Sequence, residues 1–356
     1  MLSDDIVYGM ASRQTSDRPT VSTVARLAGV SVASVSRVLN GLATMPATEQ
    51  RVRQAIEQIG YVPDAVARSL RARRTTQLAF AVADVGNPSY VAMMRAVESA
   101  VRGAGYRLVI HSTGADPNEE LAVVSGLARG YVDGLILSPL HVTIDLLRSL
   151  TTTPAPVVVI GNLPEGALVD NVRTDSGSGI KLAIEHLTAT GRSQIAMVNG
   201  PPDTEPGSIR RRAFLGALTA TGSALDEEMI EDATDFTAAA GLAAARNLLA
   251  RVRPHAVICA NDLIALGVMR FLAEQGLRVP DDVAVVGMDD TELAELSLPS
   301  LTSVSLEAAA RGSLAARFLL ERLAEPDLPP RHELVPPRLV VRESSGPPKS
   351  VARRRK

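Results

Sequence analysis

The sequence predicts an α/β protein: an all-α helix-turn-helix head with a hinge helix, then a two-lobed body built on two parallel sheets. Three observations carry this. Residues 20–60 repeat apolar side chains at helical spacing in three short segments. From residue 77 short, fully apolar runs alternate with longer amphipathic stretches, the pattern of parallel strands covered by helices on both faces. A length of 356 residues leaves room for two or three domains.

Each element of the head has a local reason. Residues 1–19 are polar and aperiodic and read as a flexible leader. Thr20 caps a first helix carrying Val21, Val24, Ala25 and Ala28, because its hydroxyl can accept from an orphan helix N–H. Gly29 ends that helix, and Ser31 caps a second with Val32, Val35, Val38 and Leu39. Pro46 and Thr48 introduce a third, with Val52, Ile56 and Ile59 on one face, and Gly60 closes it. The helix-turn-helix domain therefore covers 20–63. A helix-like run from Asp64 to Leu70 and the arginine-rich stretch after it make 64–76 a short helix and linker.

In the body, strands are expected at Leu78–Val85, Leu108–Ser112, Gly134–Ser138, Val157–Ile160, Ile195–Val198, Ala256–Ala260 and Val283–Gly287. Helices are expected near 90–103, 117–129, 143–150, 177–190, 208–221, 237–251, 262–275 and 307–324. Seven strands exceed one comfortable sheet, so two lobes with a crevice between them follow. Ligands bind at the carboxyl ends of parallel strands, which directs attention to residues 84–90, Gly161-Asn162, Gly200, Asn261-Asp262 and Asp289-Asp290. The tail 344–356 is Pro/Gly-rich, then basic, and reads as disordered.

Composition excludes several classes. No apolar stretch approaches the ~18 residues of a membrane span, and the N-terminus has no apolar signal core. The single cysteine, Cys259, excludes a disulfide framework. The expected location is the cytoplasm. The five histidines are scattered without metal-ligand spacing, so neither a metal nor a cofactor is expected. Gly177-Ser-Gly179 is an incomplete glycine-rich signature that follows no evident strand. The formal net charge of −2 hides an asymmetry: residues 18–74 carry nine arginines against three acids, whereas residues 75–344 carry a net −11. A basic head on an acidic body suggests that only the head meets a polyanion.

Ala25, Gly29 and Val35 fall at A-x3-G-x5-V spacing. A small residue lets two helices cross closely, glycine supplies a tight turn, and valine plugs the core. In such a unit the second helix enters the major groove of double-stranded DNA. Val32, Ala33 and Ser36 would face base edges, with Arg37 one turn on; Thr20, Ser22, Ser31, Ser34 and Asn40 would meet phosphates.

The run TVSTVARLAGVSVASVSRVLN from Thr20 to Asn40, and GYVPD followed by AVARSL up to Leu70, resemble the head of the lactose-repressor/galactose-repressor (LacI/GalR) family. That resemblance makes 64–76 a hinge helix and linker, and Leu70 the hinge leucine inserted into the minor groove at a dimer axis, with Arg68 beside it. It extends through the body to about Glu343, with landmarks at 84–90, 131–137, 261–267, 276–282 and 286–290. It implies a type I periplasmic-binding-protein fold over 77–343. The N-lobe would cover about 77–175 and 306–335, and the C-lobe about 176–305 and 336–343. It further implies a small effector between the lobes, a sugar or related metabolite, and a homodimer on a palindromic operator, most simply as a repressor. Arg210 matches the family arginine of R-x-x-G-F-x-x-A-L, although Ala213 replaces the glycine. Phe236 matches an aromatic platform, and Asn261 and Asp289 match polar contacts. Tyr90 and Asn162 match the pocket lining, and Asp84 and Asn87, in the landmark at the carboxyl end of the first strand, are counted with the effector site. Ser89-Tyr90 and Gly161-Asn162 depart from the commoner family residues at those places.

Plainer readings stand beside these. Asn261-Asp262 suits a helix cap, Asp289-Asp290 a turn, Phe236 the core, and Arg210–Arg212 a solvated helix start. A transporter's solute-binding protein would share the body but leave residues 1–76 superfluous. An α/β enzyme would need a catalytic constellation that the sequence does not display. No leucine heptad follows the body, which argues against a tail-mediated tetramer.

Overall fold

The computed structural model describes residues 19–62, 74–220 and 227–346. The hinge run with Arg68 and Leu70, the leader up to residue 18, and the tail from residue 347 lie outside the described residues. Two compact units divide near Thr75.

The head packs α1 (Val21–Ala28), α2 (Val32–Leu39) and α3 (Pro46–Ile59) around Val24, Ala25, Val35, Val52, Ala55 and Tyr61. Thr20 caps α1 reciprocally with Thr23: the Thr23 N–H donates to the Thr20 hydroxyl at 3.2 Å and the Thr20 N–H to the Thr23 hydroxyl at 3.4 Å. Gly29 adopts φ 62°, left-handed backbone that a branched residue resists, and turns the chain into α2.

Among the described residues the body holds two six-stranded sheets. The first comprises β1 (Gln77–Val82), β2 (Arg107–Ser112), β3 (Gly134–Ser138), β4 (Val157–Ile160), β5 (Asp170–Thr174) and β11 (His332–Val335) in the order 2-1-3-4-5-11, all parallel. The second comprises β6 (Ile195–Asn199), β7 (Ile230–Asp232), β8 (Ala256–Cys259), β9 (Ala284–Met288), β10 (Thr302–Ser305) and β12 (Arg338–Val340) in the order 7-6-8-9-10-12. Among the described strands, only β12 runs antiparallel to its neighbour, β10. Both lobes thus repeat one winding.

The helices between them are α4 (Pro88–Gly103), α5 (Pro117–Gly126), α6 (Ile144–Thr152), α7 (Ser176–Ala189), α8 (Glu205–Ala220), α9 (Ala238–Arg251), α10 (Asp262–Glu274), the short α11 (Glu292–Leu296) and α12 (Ala308–Ala324). Each sheet has an apolar cluster on both faces, as its near-continuous Val/Ile/Leu strands require. The chain passes between the lobes at Asp175, at Leu306–Glu307 and at Pro336–Pro337.

Among the described residues twelve strands stand where seven are expected, and the reasons are local. The five additional strands lack an apolar run: β5 buries Asp170 and Asn171, β10 buries Thr302, Ser303 and Ser305, β7 has three residues, and β11 and β12 are short edges, the first mostly exposed and the second mostly half-buried. Because β5 exists, Gly177-Ser-Gly179 does follow a strand. A Cβ on Gly179 would lie 2.8 Å from Val304 Cγ1 and one on Gly177 3.3 Å from the Ala213 Cβ, so these glycines admit close packing of α7. The tail also begins later than expected. Ser344 and Ser345 are fully buried, the Ser344 hydroxyl donating to the Val285 carbonyl at 2.6 Å, so the ordered body continues past Glu343 to at least Gly346.

Candidate functional site

On the head, the first turn of α2 presents Val32 and Ala33 outward; Val32 is 44% exposed although it is apolar. Ser36 follows on the same side, half-buried. Ser31 caps the helix, its hydroxyl accepting from the Ser34 N–H at 3.1 Å. Thr20 and Ser22 are exposed at the start of α1. The amide of Asn40 donates to the Ser36 carbonyl at 2.8 Å, closing the helix end. Arg37 is exposed, but its guanidinium donates to the Ala43 carbonyl at 2.8 and 3.3 Å, so it knits the turn after α2.

In the body, a cleft of about 320 Å³ opens at the carboxyl ends of the strands of both sheets. It is lined by all eight residues expected there: Asp84, Asn87, Tyr90, Asn162, Arg210, Phe236, Asn261 and Asp289. Its size falls within the ~300–1,000 Å³ usual for small-molecule sites.

The residues differ in what they have left to offer. Asp84 takes the Gly86 N–H at 2.8 Å, and Asn87 caps α4 by accepting from the Ser89 N–H at 3.0 Å. Asn261 caps α10, accepting from the Ile264 N–H at 2.8 Å, and donates to the Phe236 carbonyl at 3.0 Å. Its amide therefore positions Phe236. The Phe236 ring rests on Gly200: a Cβ there would lie 2.2 Å from its Cε1. Asn162 donates from the N-lobe to Glu205 of the C-lobe at 3.3 Å, and the Glu205 N–H donates to the Leu140 carbonyl at 2.8 Å. Buried Glu120 holds that edge by accepting from the N–H groups of Leu140 and His141 at 2.7 and 3.1 Å.

Charge concentrates at the deep end. Arg210 is 7% exposed and donates to the Ala260 carbonyl at 2.7 Å, but its Nε has no partner. Burial pushes Asp289 up to about 6, against the pull of Arg210 and Arg311. Burial, then the Asp289 charge, pushes the Tyr90 phenol up to about 12. Among the described residues, no ion pair within 4.0 Å joins Asp289 to either arginine.

The turn carrying Asp289 is strained, with φ 112° at Asp289 and 58° at Asp290. Asp262, 1% exposed, holds it. One Asp262 oxygen accepts from the Thr291 N–H and hydroxyl, both at 2.8 Å, and the other from the Ser303 hydroxyl at 2.6 Å. Ser303 in turn accepts from the Asp290 N–H at 2.9 Å. Burial, then Asp289, pushes Asp262 up to about 7.

Sequence reasoning missed Arg311 and Glu205 as cleft residues. Arg311 did leave a signal: it lies on the stripe Ala308, Gly312, Ala315, Ala316, Leu319, the buried face of α12. Glu205 left none, because only its first-turn position on α8 turns it inward.

Residues 20–64 match the family model of bacterial regulatory proteins of the lacI family, and residues 184–345 match that of a periplasmic binding protein-like domain. The HTH-type transcriptional regulator CelR of Thermobifida fusca is 37% identical over 337 residues, 92% of this chain and 98% of that protein. The HTH-type transcriptional repressor PurR of Vibrio atlanticus is 33% identical over 327 residues, 91% and 98% respectively. A solved complex of CelR with cellobiose superposes with a TM-score of 0.69 at 36% identity, covering 92% of this chain and 100% of that one. A lac repressor dimer bound to operator and the anti-inducer ONPF gives 0.81 at 27% identity, covering 92% and 98%. With a head and a body of these two types in one chain, and relatives similar over nearly their whole length, the protein belongs to the LacI family of DNA-binding transcriptional regulators.

Proposed function

We propose that the protein acts in the cytoplasm as a homodimer on a palindromic operator, as a repressor, and that a sugar or related polyhydroxylated metabolite in the cleft switches its affinity for that operator. The observation that carries this is the convergence of Asp289, Arg210, Tyr90 and Phe236 in one cleft. A carboxylate accepts from hydroxyls, a guanidinium donates to them, and an aromatic face covers the apolar side of a sugar ring. The solved CelR–cellobiose complex supports a sugar. The lac repressor dimer on its operator supports two heads reading two half-sites, with Val32, Ala33 and Ser36 toward base edges. Leu70 and Arg68 would act at the hinge, a hydrophobic wedge that unstacks a base step.

An effector can shift operator affinity only by binding one state of the dimer more tightly than the other. The bonds between Asn162, Glu205 and Leu140 join the lobes across the cleft and are the contacts that closure would strengthen or break. No catalytic role is assigned to any residue, and turnover assays on sugars should be blank.

The test is a calorimetric titration with cellobiose and a panel of mono- and disaccharides, paired with operator binding by fluorescence anisotropy. Arg210→Ala and Asp289→Ala should each abolish the effector response while leaving a folded dimer. Normal sugar binding in both variants removes the assignment of the cleft. Leu70→Ala should weaken specific operator binding and spare nonspecific binding.

A further inference from the structure

Arg311 is the most unusual side chain in the cleft. It is 6% exposed, yet among the described residues its guanidinium makes no hydrogen bond and no ion pair, and its Nε is buried without a partner. A guanidinium has five N–H donors and no acceptor; here the Nε–H is left unmet in a buried site, which is costly, and the terminal Nη groups face the cleft. Nor is the position loose. A Cβ on the next residue, Gly312, would lie 2.6 Å from the Met93 carbonyl oxygen, so α12 packs directly on the backbone of α4 and fixes Arg311 beside Tyr90.

The carboxylates around it are engaged elsewhere. Glu307 pairs with Arg338 and accepts from the Ser305 hydroxyl. Asp290 pairs with Arg342 at 2.6 Å. Glu205 accepts from Asn162. Asp262 accepts from Thr291 and Ser303. Asp289 alone faces both Arg311 and Arg210, without a direct ion pair to either. The first residues of α4, α7 and α8, and the cap of α10, also line the cleft, and helix N-termini add positive potential. Burial lowers the Arg311 pKa to about 10, so the side chain is still charged at neutral pH.

We propose that Arg311 is an effector-binding residue that selects an effector carrying an anionic oxygen group, a carboxylate or a phosphoryl group, in addition to its hydroxyls. A planar guanidinium and either anion match through paired N–H···O bonds. Arg210 reaches the cleft from the C-lobe and Arg311 from the N-lobe, so an anion held by both would also tie the lobes together. This rests on the cleft being the effector site, and it narrows the class from neutral sugars to acidic ones.

The experiment compares the full-length protein with Arg311→Met and Arg311→Lys. Calorimetry and thermal shift use glucuronate, glucose 6-phosphate, glucose and cellobiose, and also acetate and inorganic phosphate. Glucuronate or glucose 6-phosphate should bind the wild type at least about tenfold more tightly than glucose, as a charge-assisted pair provides. Arg311→Met should erase that preference, and Arg311→Lys should restore it in part. Which acid wins distinguishes carboxylate from phosphoryl. Without ligand, Arg311→Met should melt no lower than the wild type, because it removes an unmet buried charge. If no sugar binds but acetate or phosphate raises the melting temperature of the wild type and not of Arg311→Met, the anion site stands and the sugar reading falls. If the neutral sugars bind as tightly as the acids, or if wild type and Arg311→Met respond alike to every anion, the proposal is overturned.

Discussion

The head and the cleft prepare for their ligands in opposite ways. On α2 the outward side chains, Val32, Ala33 and Ser36, are short and uncharged, and the core beneath them is eight buried side chains. In the cleft the groups that face a ligand are larger: Arg210 and Arg311 are charged and buried, Asp289 and Tyr90 are half-buried, and Asn162 is already bonded to Glu205. A surface that reads DNA needs a rigid backbone and diffuse positive charge, because phosphates supply most of the affinity and a few base contacts the specificity. A closed site for a small molecule needs a few interactions in a low-dielectric setting, and desolvating them lowers the stability of the empty protein. The head should therefore fail by unfolding, and the cleft by losing selectivity while staying folded.

The largest expected effect breaks the head. Val35 is fully buried at the centre of its core. Val35→Asp places an unpaired charge there, a cost of about 3–5 kcal/mol, comparable with the whole stability of so small a core. Operator binding should be lost. In calorimetry the transition of the body should stay within a few degrees of the wild type, since the two units divide at Thr75. A matching collapse of the body would mean that the units fold as one.

The next effect belongs to the cleft and is pH-dependent. Asp262 and Asp289 titrate at about 7 and about 6 when folded, against an ordinary 3.8. The folded state thus holds these protons more tightly than the unfolded chain. Their contribution to stability is complete below pH 3.8 and is lost as the pH rises through 6 to 7. The body should melt higher at pH 5 than at pH 8, by an amount on the order of a few kcal/mol in stability. Asp170 and Asp175, which shift downward, contribute equally at both values, and His186, held low by burial, opposes the trend. Glu120 and Glu205, also raised by burial, add to the same slope, so Asp262→Asn should flatten part of it. A slope unchanged in that variant would move its origin away from the turn at Asp289.

The contrast also explains what could be read in advance. Helical head and alternating body were visible because apolar periodicity records burial directly: Val24, Ala25 and Val35 in the head, and the fully buried runs Gly134–Ser138 and Val157–Ile160 in the body. Strands whose burial is polar were invisible. β10 is Thr-Ser-Val-Ser, and its hydroxyls satisfy Asp262 and the 342–345 segment, a pairing that no local pattern encodes. The cleft was legible where a residue ends an apolar strand, as Asp84, Asn261 and Asp289 do. Arg311 and Glu205 reach it from a helix interior and a helix start, and only the packing of α12 on α4 and the bonds of Glu205 to Leu140 and Asn162 bring them in.

A smaller effect sharpens the cleft. Gly200→Ala would put a methyl 2.2 Å from the Phe236 ring, and the ring must move because the backbone beneath it is the strand end of β6. Sugar affinity should fall by roughly tenfold, the scale of misplacing one well-packed contact, while operator binding without effector is unchanged. Equal sugar affinity would mean that Phe236 is core packing and no platform.

The smallest effect returns to the head and concerns Arg37. As an exposed arginine one turn along α2, it is placed to read guanine, and Arg37→Gln would then relax specificity at one base pair by about 1–3 kcal/mol. Its guanidinium is instead bonded to the Ala43 carbonyl, and the Arg37 carbonyl accepts from the Leu42 N–H at 2.9 Å, so the residue closes the turn that leads to α3. A donor already committed to the backbone has less to offer a base edge. Arg37→Gln should therefore weaken specific and nonspecific DNA by the same few-fold factor, through a looser turn and one lost charge. Anisotropy against the operator and a scrambled duplex at two salt concentrations separates the alternatives. A loss confined to one operator position would show that Arg37 releases Ala43 and turns to the groove when DNA binds.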